Sequence, residues 1–264
     1  MLIDSHIHLD AAAFDTDRQI LLDDARVEGV RCFVVPAVSA GNFLPVSALA
    51  AQYAAIAPAY GIHPLYVMQA AQEDMTLLEQ YLIREHTVAV GEIGLDAYVR
   101  NVDFAVQETF FAQQLKLARH YGLPVILHLR HAVDAVLKHL RRIEVCGGIA
   151  HAFAGSQQQA ETLVAMGFKL GYGGAMTYGG SQRIRRLAAL LPLEALVLET
   201  DAPDMAPNWL HGQRNVPASL GRYAQTLAGL RHIPVENVCR QTTENVLQVL
   251  PRLHSVMRRI DLTC

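Results

Sequence analysis

Two histidines one residue apart, His6 and His8, stand near the amino end inside the apolar run Leu2-Ile3-Asp4-Ser5-His6-Ile7-His8-Leu9. In a β-strand residues i and i+2 leave the same face, so both imidazoles can meet at one point and offer nitrogen donors to a divalent cation. One such pair is weak evidence, because a His-x-His in a half-buried strand is as often an accident of the surface. The rest of the chain strengthens it by closing apolar runs on His63, Glu92, His128, His151 and Asp201. The histidines in helix-like stretches, His86, His120, His139, His232 and His254, lack that placement and read as solvated or partly packed side chains.

These groups need a frame. Eight short runs rich in Val, Ile, Leu and Ala, at 2–8, 31–38, 57–63, 88–94, 124–129, 147–152, 168–174 and 195–201, read as strands. Between them lie stretches of helical spacing, such as Val102 to His120 and Ser156 to Met166. Nearly unbroken apolar runs such as Pro124-Val125-Ile126-Leu127-His128 suit parallel strands buried on both faces. Eight such units predict an α/β fold, a (β/α)8 TIM barrel in one domain over residues 1–264.

Gly29, Gly122 and Gly167 fall where helices must stop. Pro217 to Leu230 and Pro234 to Leu250 read as additional C-terminal helices, followed by a short basic tail. A doubly wound open sheet is the structural competitor, but its G-x-G-x-x-G after the first strand is missing. In a barrel the active site lies at the carboxyl-terminal rim, where all seven of the groups above fall.

Six donors suit two divalent ions better than one, since six protein ligands on one ion would leave no room for water or substrate. Glu92 can offer one oxygen to each ion, holding the two about 3.5–4 Å apart. The favoured allocation gives His6, His8, Glu92 and Asp201 to the first ion and Glu92, His128 and His151 to the second. Mixed nitrogen and oxygen donors fit Zn, Mn, Ni or Co, and admit Mg where substrate oxygens and waters complete the shell. Any single rim histidine is more often structural. Gathering so many ionisable groups in one mouth without a cation carries a severe desolvation cost, which shifts the balance toward metal.

Composition bounds the partners. The net charge of −3 gives no general attraction to nucleic acid or an anionic membrane, so a nucleic-acid substrate must be gripped locally. Cys32, Cys146, Cys239 and Cys264 show neither C-x-x-C spacing nor a disulfide pattern and read as packing residues in a reducing compartment. The amino end shows no basic leader and no apolar span of about 18 residues occurs. The expectation is a cytoplasmic chain with no membrane association. No phosphate-loop lysine motif occurs, which disfavours a nucleotide cofactor, and the lack of a long exposed apolar helix predicts a monomer.

The motifs DSHIHLD at 4–10, GIHP at 61–64, VGEIGLD at 90–96, PVILHLR at 124–130, HAFAGS at 151–156 and LETDAPD at 198–204 resemble those of TatD-type deoxyribonucleases through nearly the whole chain. Within that family, LETDAPDMAP followed by HGQRNVP is most similar to the YjjV-like branch. The resemblance implies an amidohydrolase-like barrel, two divalent ions per subunit, and hydrolysis of phosphodiester bonds in DNA. It implies the same allocation of His6, His8, Glu92, His128, His151 and Asp201, and makes His63 a substrate contact. Ala97, Ala154 and Leu129 depart from the usual pattern around the ligands, which bears on substrate preference.

A mechanism follows. Divalent ions lower the pKa of a coordinated water toward ~7, and Asp201 can take its proton and pass it to the leaving oxygen. Arg130, two residues past His128, can hold a phosphate in its fork. Glu199 either orients a ligand imidazole or pairs with a buried base, and Asp96 either shares Glu92's face or makes an Asx-turn. Arg214 and Asn215 belong to a long rim loop, while Asn245 ties down a C-terminal helix.

The same chemistry serves a small cyclic amide, lactone or other ester, so that substrate class stands as the alternative to DNA or a small phosphodiester. A barrel whose metals are purely structural is disfavoured, because closed structural sites use four ligands.

Overall fold

The computed structural model describes residues 1–263. Eight strands run β1 (Leu2–Asp4), β2 (Val30–Pro36), β3 (Ile56–Ala59), β4 (Val90–Gly94), β5 (Val125–His128), β6 (Gly148–Ala150), β7 (Phe168–Tyr172) and β8 (Leu196–Leu198). The helices among the described residues are α1 (Arg18–Val27), α2 (Phe43–Gln52), α3 (Gln72–Leu82), α4 (Phe104–Tyr121), α5 (Val133–Arg142), α6 (Gln157–Ala165), α7 (Gln182–Leu190), α8 (Ser219–Arg231), α9 (Val235–Val249) and α10 (Leu253–Thr263).

Strands pair in parallel with their sequence neighbours in two runs, β1-β2-β3 and β4 through β8. Two seams join the runs. At β3 and β4, Tyr60 bridges Val90 and the Gly91 N–H donates to the Tyr60 carbonyl at 2.9 Å. At β8 and β1, the Ser5 N–H donates to the Leu198 carbonyl at 3.1 Å and the Asp201 N–H to the His6 carbonyl at 2.9 Å. The circuit of eight parallel strands is the barrel that the sequence predicts.

The strands are shorter than their apolar runs suggest. β1 ends at Asp4 and β8 at Leu198, so His6, His8 and Asp201 lie on the loops just beyond, as do His63 and His151. The i, i+2 rule for His6 and His8 therefore does not act through a continuous strand. At the rim the regular ladder gives way to single bonds, such as His8 N–H to the Ala202 carbonyl at 2.9 Å.

Strand alternation builds two cores. Ile3, Cys32, Val34, Ala57, Ala59, Ile126, Ile149 and Val197 share one buried cluster with Val246, Val249, Leu250, Leu253, Val256 and Ile260 from α9, α10 and the turn between them. The alternate strand residues, including Phe33, Val35, Val125, Leu127, Leu196 and Leu198, pack with helix residues in the other cluster. The tail expected to be short and basic is thus mostly helix: Leu253, Val256 and Ile260, spaced by three and four, give α10 one apolar face. Among the described residues no helix is long and apolar enough to cross a membrane.

Local signals set the helix that feeds the site strand β5. The Asp103 side chain accepts from Ala105 N–H at 2.8 Å and caps α4, and Gly122 ends it at φ 59°, where a side chain would be strained. Asn245, as expected, ties α9 to the barrel by donating to the Leu193 and Leu196 carbonyls at 2.8 and 2.6 Å.

Asp4 secures the β8–β1 seam. Its Oδ1 accepts from Thr200 N–H at 3.0 Å and from His6 N–H at 3.3 Å, and its Oδ2 accepts from the Thr200 hydroxyl at 2.6 Å, all fully buried. Asp4→Ala strands these donors and should cost about 2–4 kcal/mol in urea unfolding. Asp4→Asn, which keeps an acceptor, should cost less; equal stability of Asp4→Ala and the parent would contradict the seam's role.

Candidate metal centre

All six expected ligands meet at the carboxyl-terminal mouth, with Glu92 of β4 at their centre. Its side chain is 3% exposed, and its two oxygens face different partners. Oε2 lies 3.2 Å from His6 Nε2 and 3.7 Å from His8 Nε2, whereas Oε1 lies 3.0 Å from His128 Nδ1 and 3.5 Å from His63 Nε2. Asp201 Oδ1 stands 3.6 Å from His6 Nε2, 3.5 Å from His8 Nε2 and 3.6 Å from His151 Nε2.

These residues fit a cation. Four donors about 2.1 Å from a tetrahedral ion stand roughly 3.4 Å from one another. His6 Nε2 and His8 Nε2 stand 3.3 Å apart, and each lies 3.2 to 3.7 Å from a Glu92 or Asp201 oxygen, close to that spacing. A second set of donors, from His63, Glu92 and His128, also gathers within 4.8 Å.

The side chains do not bring His151 to the Glu92 oxygen that faces His128. Instead its Nε2 faces Asp201 and its ring stacks on His6, with centroids 3.7 Å apart. His63, expected only as a substrate contact, reaches Glu92 directly. Its Nδ1 accepts from Leu65 N–H at 3.2 Å, so a neutral ring carries its proton on Nε2 and presents a donor, not a lone pair, to the mouth.

Carboxylates behind the ligands fix their orientation. β4 ends at Gly94, so Asp96 takes the second of its expected roles, Oδ1 accepting from Tyr98 and Val99 N–H at 2.8 and 3.1 Å in an Asx-turn, while Oδ2 lies 2.9 Å from His128 Nε2. Glu199 Oε1 accepts from Ala152 N–H at 2.6 Å and lies 3.0 Å from His151 Nδ1.

Arg130 is exposed and stacks its guanidinium 3.8 Å over the Tyr98 ring. Because β5 ends at His128, the i+2 rule does not carry Arg130 to the same face. Arg214 pairs with Asp17 on the loop side, and Asn215 is buried, donating to the Thr200 carbonyl at 2.8 Å. Both are structural ties of the rim loop.

Charge is arranged to match. Burial alone would raise the Glu92 and Asp201 acids, but the imidazoles around them, His63 and His6 for Glu92 and His151 for Asp201, win and hold both below the usual carboxylate range. Burial lowers His6 and His63. Burial also opposes charge on His128 and His151, yet Asp96 and Glu92 beside the first and Glu199 and Asp201 beside the second hold these two above the ordinary histidine value. Asp201 and Ala152 adopt left-handed φ of 55° and 46°, strained positions that the rim sustains at roughly 1–3 kcal/mol each.

Comparison with known proteins sets the chain beside metal-dependent hydrolases. A family profile described as TatD related DNase matches residues 3–251. The chain is 41% identical over 246 residues to YjjV of Escherichia coli, described as an uncharacterized metal-dependent hydrolase, covering 92% of this chain and 95% of that one. An uncharacterized metal-dependent hydrolase of Haemophilus influenzae is 36% identical over 256 residues, covering 93% and 98%. The crystal structure of YjjV, a TatD homologue from Escherichia coli, superposes with TM-score 0.92 at 40% identity, covering 95% of this chain and 98% of that one.

Neighbouring carboxylates favour the protonated forms of His128 and His151, so a cation bound by these rings competes with protons. Titration calorimetry between about pH 6 and about pH 8 should show affinity rising with pH and proton release, read from buffers of different ionisation enthalpy. Affinity independent of pH, with no proton release, would contradict the ligand assignment.

Proposed function

This chain belongs to the TatD-related DNase family and is a metal-dependent hydrolase, and on that premise we propose that it cleaves phosphodiester bonds of DNA from a strand end, using two divalent ions. The observation that carries the reading is Glu92, whose two oxygens face separate sets of imidazoles at the mouth. His6, His8, Glu92 and Asp201 would hold one cation; Glu92 and His128, joined by the His151 Nε2 that here faces Asp201, would hold the other. Bound there, the cations supply Lewis acidity to a water and to the phosphoryl oxygens.

The chain's own residues do the rest. Asp201, kept ionised by His151, His6 and His8, accepts the proton of the attacking water as the new oxygen–phosphorus bond forms. It returns that proton to the leaving oxygen as the ester bond breaks. His63 donates from Nε2 to a phosphate oxygen, and Arg130, stacked on Tyr98 at the exposed rim, meets a neighbouring phosphate. A net charge of −3 supports a short grip near the end of a strand over long tracking along it. The expected cellular setting is the cytoplasm, with the chain acting as a monomer.

With labelled single-stranded oligonucleotides and Mg, Mn or Zn, Asp201→Asn should lower kcat by about 10²–10⁴-fold. His63→Ala should lower kcat/KM by about 10–100-fold in the cation-loaded protein. No nucleotide release by the parent protein, together with hydrolysis of a lactone or cyclic amide, would replace DNA with that substrate class.

A further inference from the structure

Behind the ligands lie buried polar atoms without partners. His6 Nδ1 and Glu199 Oε2 each have no hydrogen-bond partner among the described residues. A His6 nitrogen, a His151 nitrogen and a Glu199 oxygen all lie within 4.8 Å of one another. The His6 and His151 rings are nearly parallel, tilted by 19°, and both Nε2 atoms stand 3.6 Å from the same Asp201 Oδ1.

Space for the carboxylate is cut into β7. A Cβ on Gly171 would collide with Glu199 Oε1, Oε2 and Cδ, so only glycine lets the side chain lie there. The same residues border a cavity of about 60 Å³ lined by Ala152, Gly171, Glu199 and Asp201, room enough for water. Glu199 Oε1 and His151 Nδ1 stand 3.0 Å apart as an ion-pair contact, and His151 Nδ1, like His6 Nδ1, makes no hydrogen bond among the described residues.

We infer that Glu199 is a positioning residue for two ligands at once: Oε1 holds His151 Nδ1, Oε2 takes the Nδ1 proton of His6, and both rings thereby turn Nε2 toward Asp201. A neutral imidazole has one proton, so a proton kept on Nδ1 leaves the Nε2 lone pair for a cation. One carboxylate thus sets a ligand of each proposed ion. Gly171 acts through it by leaving it room.

This deepens the proposed function and rests on that reading only where cation affinity is measured. Glu199→Gln separates the two halves of the role: the amide oxygen can keep the Ala152 and His151 contacts, while its NH2 faces His6 and forces the proton from Nδ1 to Nε2. Nitrogen-15 NMR of the chelated protein should show His6 protonated on Nδ1 in the parent and on Nε2 in Glu199→Gln. Calorimetry with Zn or Mn should show a loss in affinity of about 10–100-fold. Gly171→Ala, which removes no polar group, should weaken cation binding in the same direction.

A parent His6 protonated on Nε2, or an unchanged tautomer in Glu199→Gln, would overturn the inference whatever the enzyme hydrolyses. So would unchanged affinity in both variants of a protein that binds cations. Failure of DNA hydrolysis with the tautomer switch intact would instead count against the substrate reading alone.

Discussion

A buried carboxylate that presents its two oxygens to two separate sets of imidazoles is the constraint on which this structure turns. An ionised carboxyl out of water costs several kcal/mol unless it is matched on every side. Glu92 is matched by His6 and His8 on one oxygen and by His128 and His63 on the other. Those partners come from three segments besides that of Glu92 itself, so the site can form only once the ring of strands has closed. The chemistry is therefore as cooperative as the fold.

The ring's two seams lie next to the groups that matter. One seam, at Tyr60, Val90 and Gly91, adjoins Glu92 and leads into the loop of His63. The other, at Ser5, Leu198 and Asp201, adjoins His6 and carries Asp4 as its tie. At both places the continuous ladder gives way to single bonds. The freed backbone can then aim imidazoles and carboxylates inward, and left-handed turns at Asp201 and Ala152 complete the aiming.

Much of this was legible in the sequence, for physical reasons. Parallel strands buried on both faces must be apolar throughout, so a histidine or acid ending such a run stands out; Glu92, His128, His151 and Asp201 were found that way. The period-2 rule failed where strands stop. It placed Arg130 beside His128, but the chain leaves β5 at that residue and Arg130 turns to Tyr98 instead. α10 was hidden by its basic residues, although Leu253, Val256 and Ile260 keep helical spacing. The pairing of Glu199 with His151, and of His63 with Glu92, depends on how loops fold over the rim, which no local spacing records.

The central claim is that Glu92 joins two cation positions into one centre. Its most direct test is elemental analysis of protein purified without chelator, beside Glu92→Ala verified as folded by circular dichroism. The account predicts about two divalent ions per chain in the parent and almost none in the variant. Retention of the parental metal content by Glu92→Ala would contradict it.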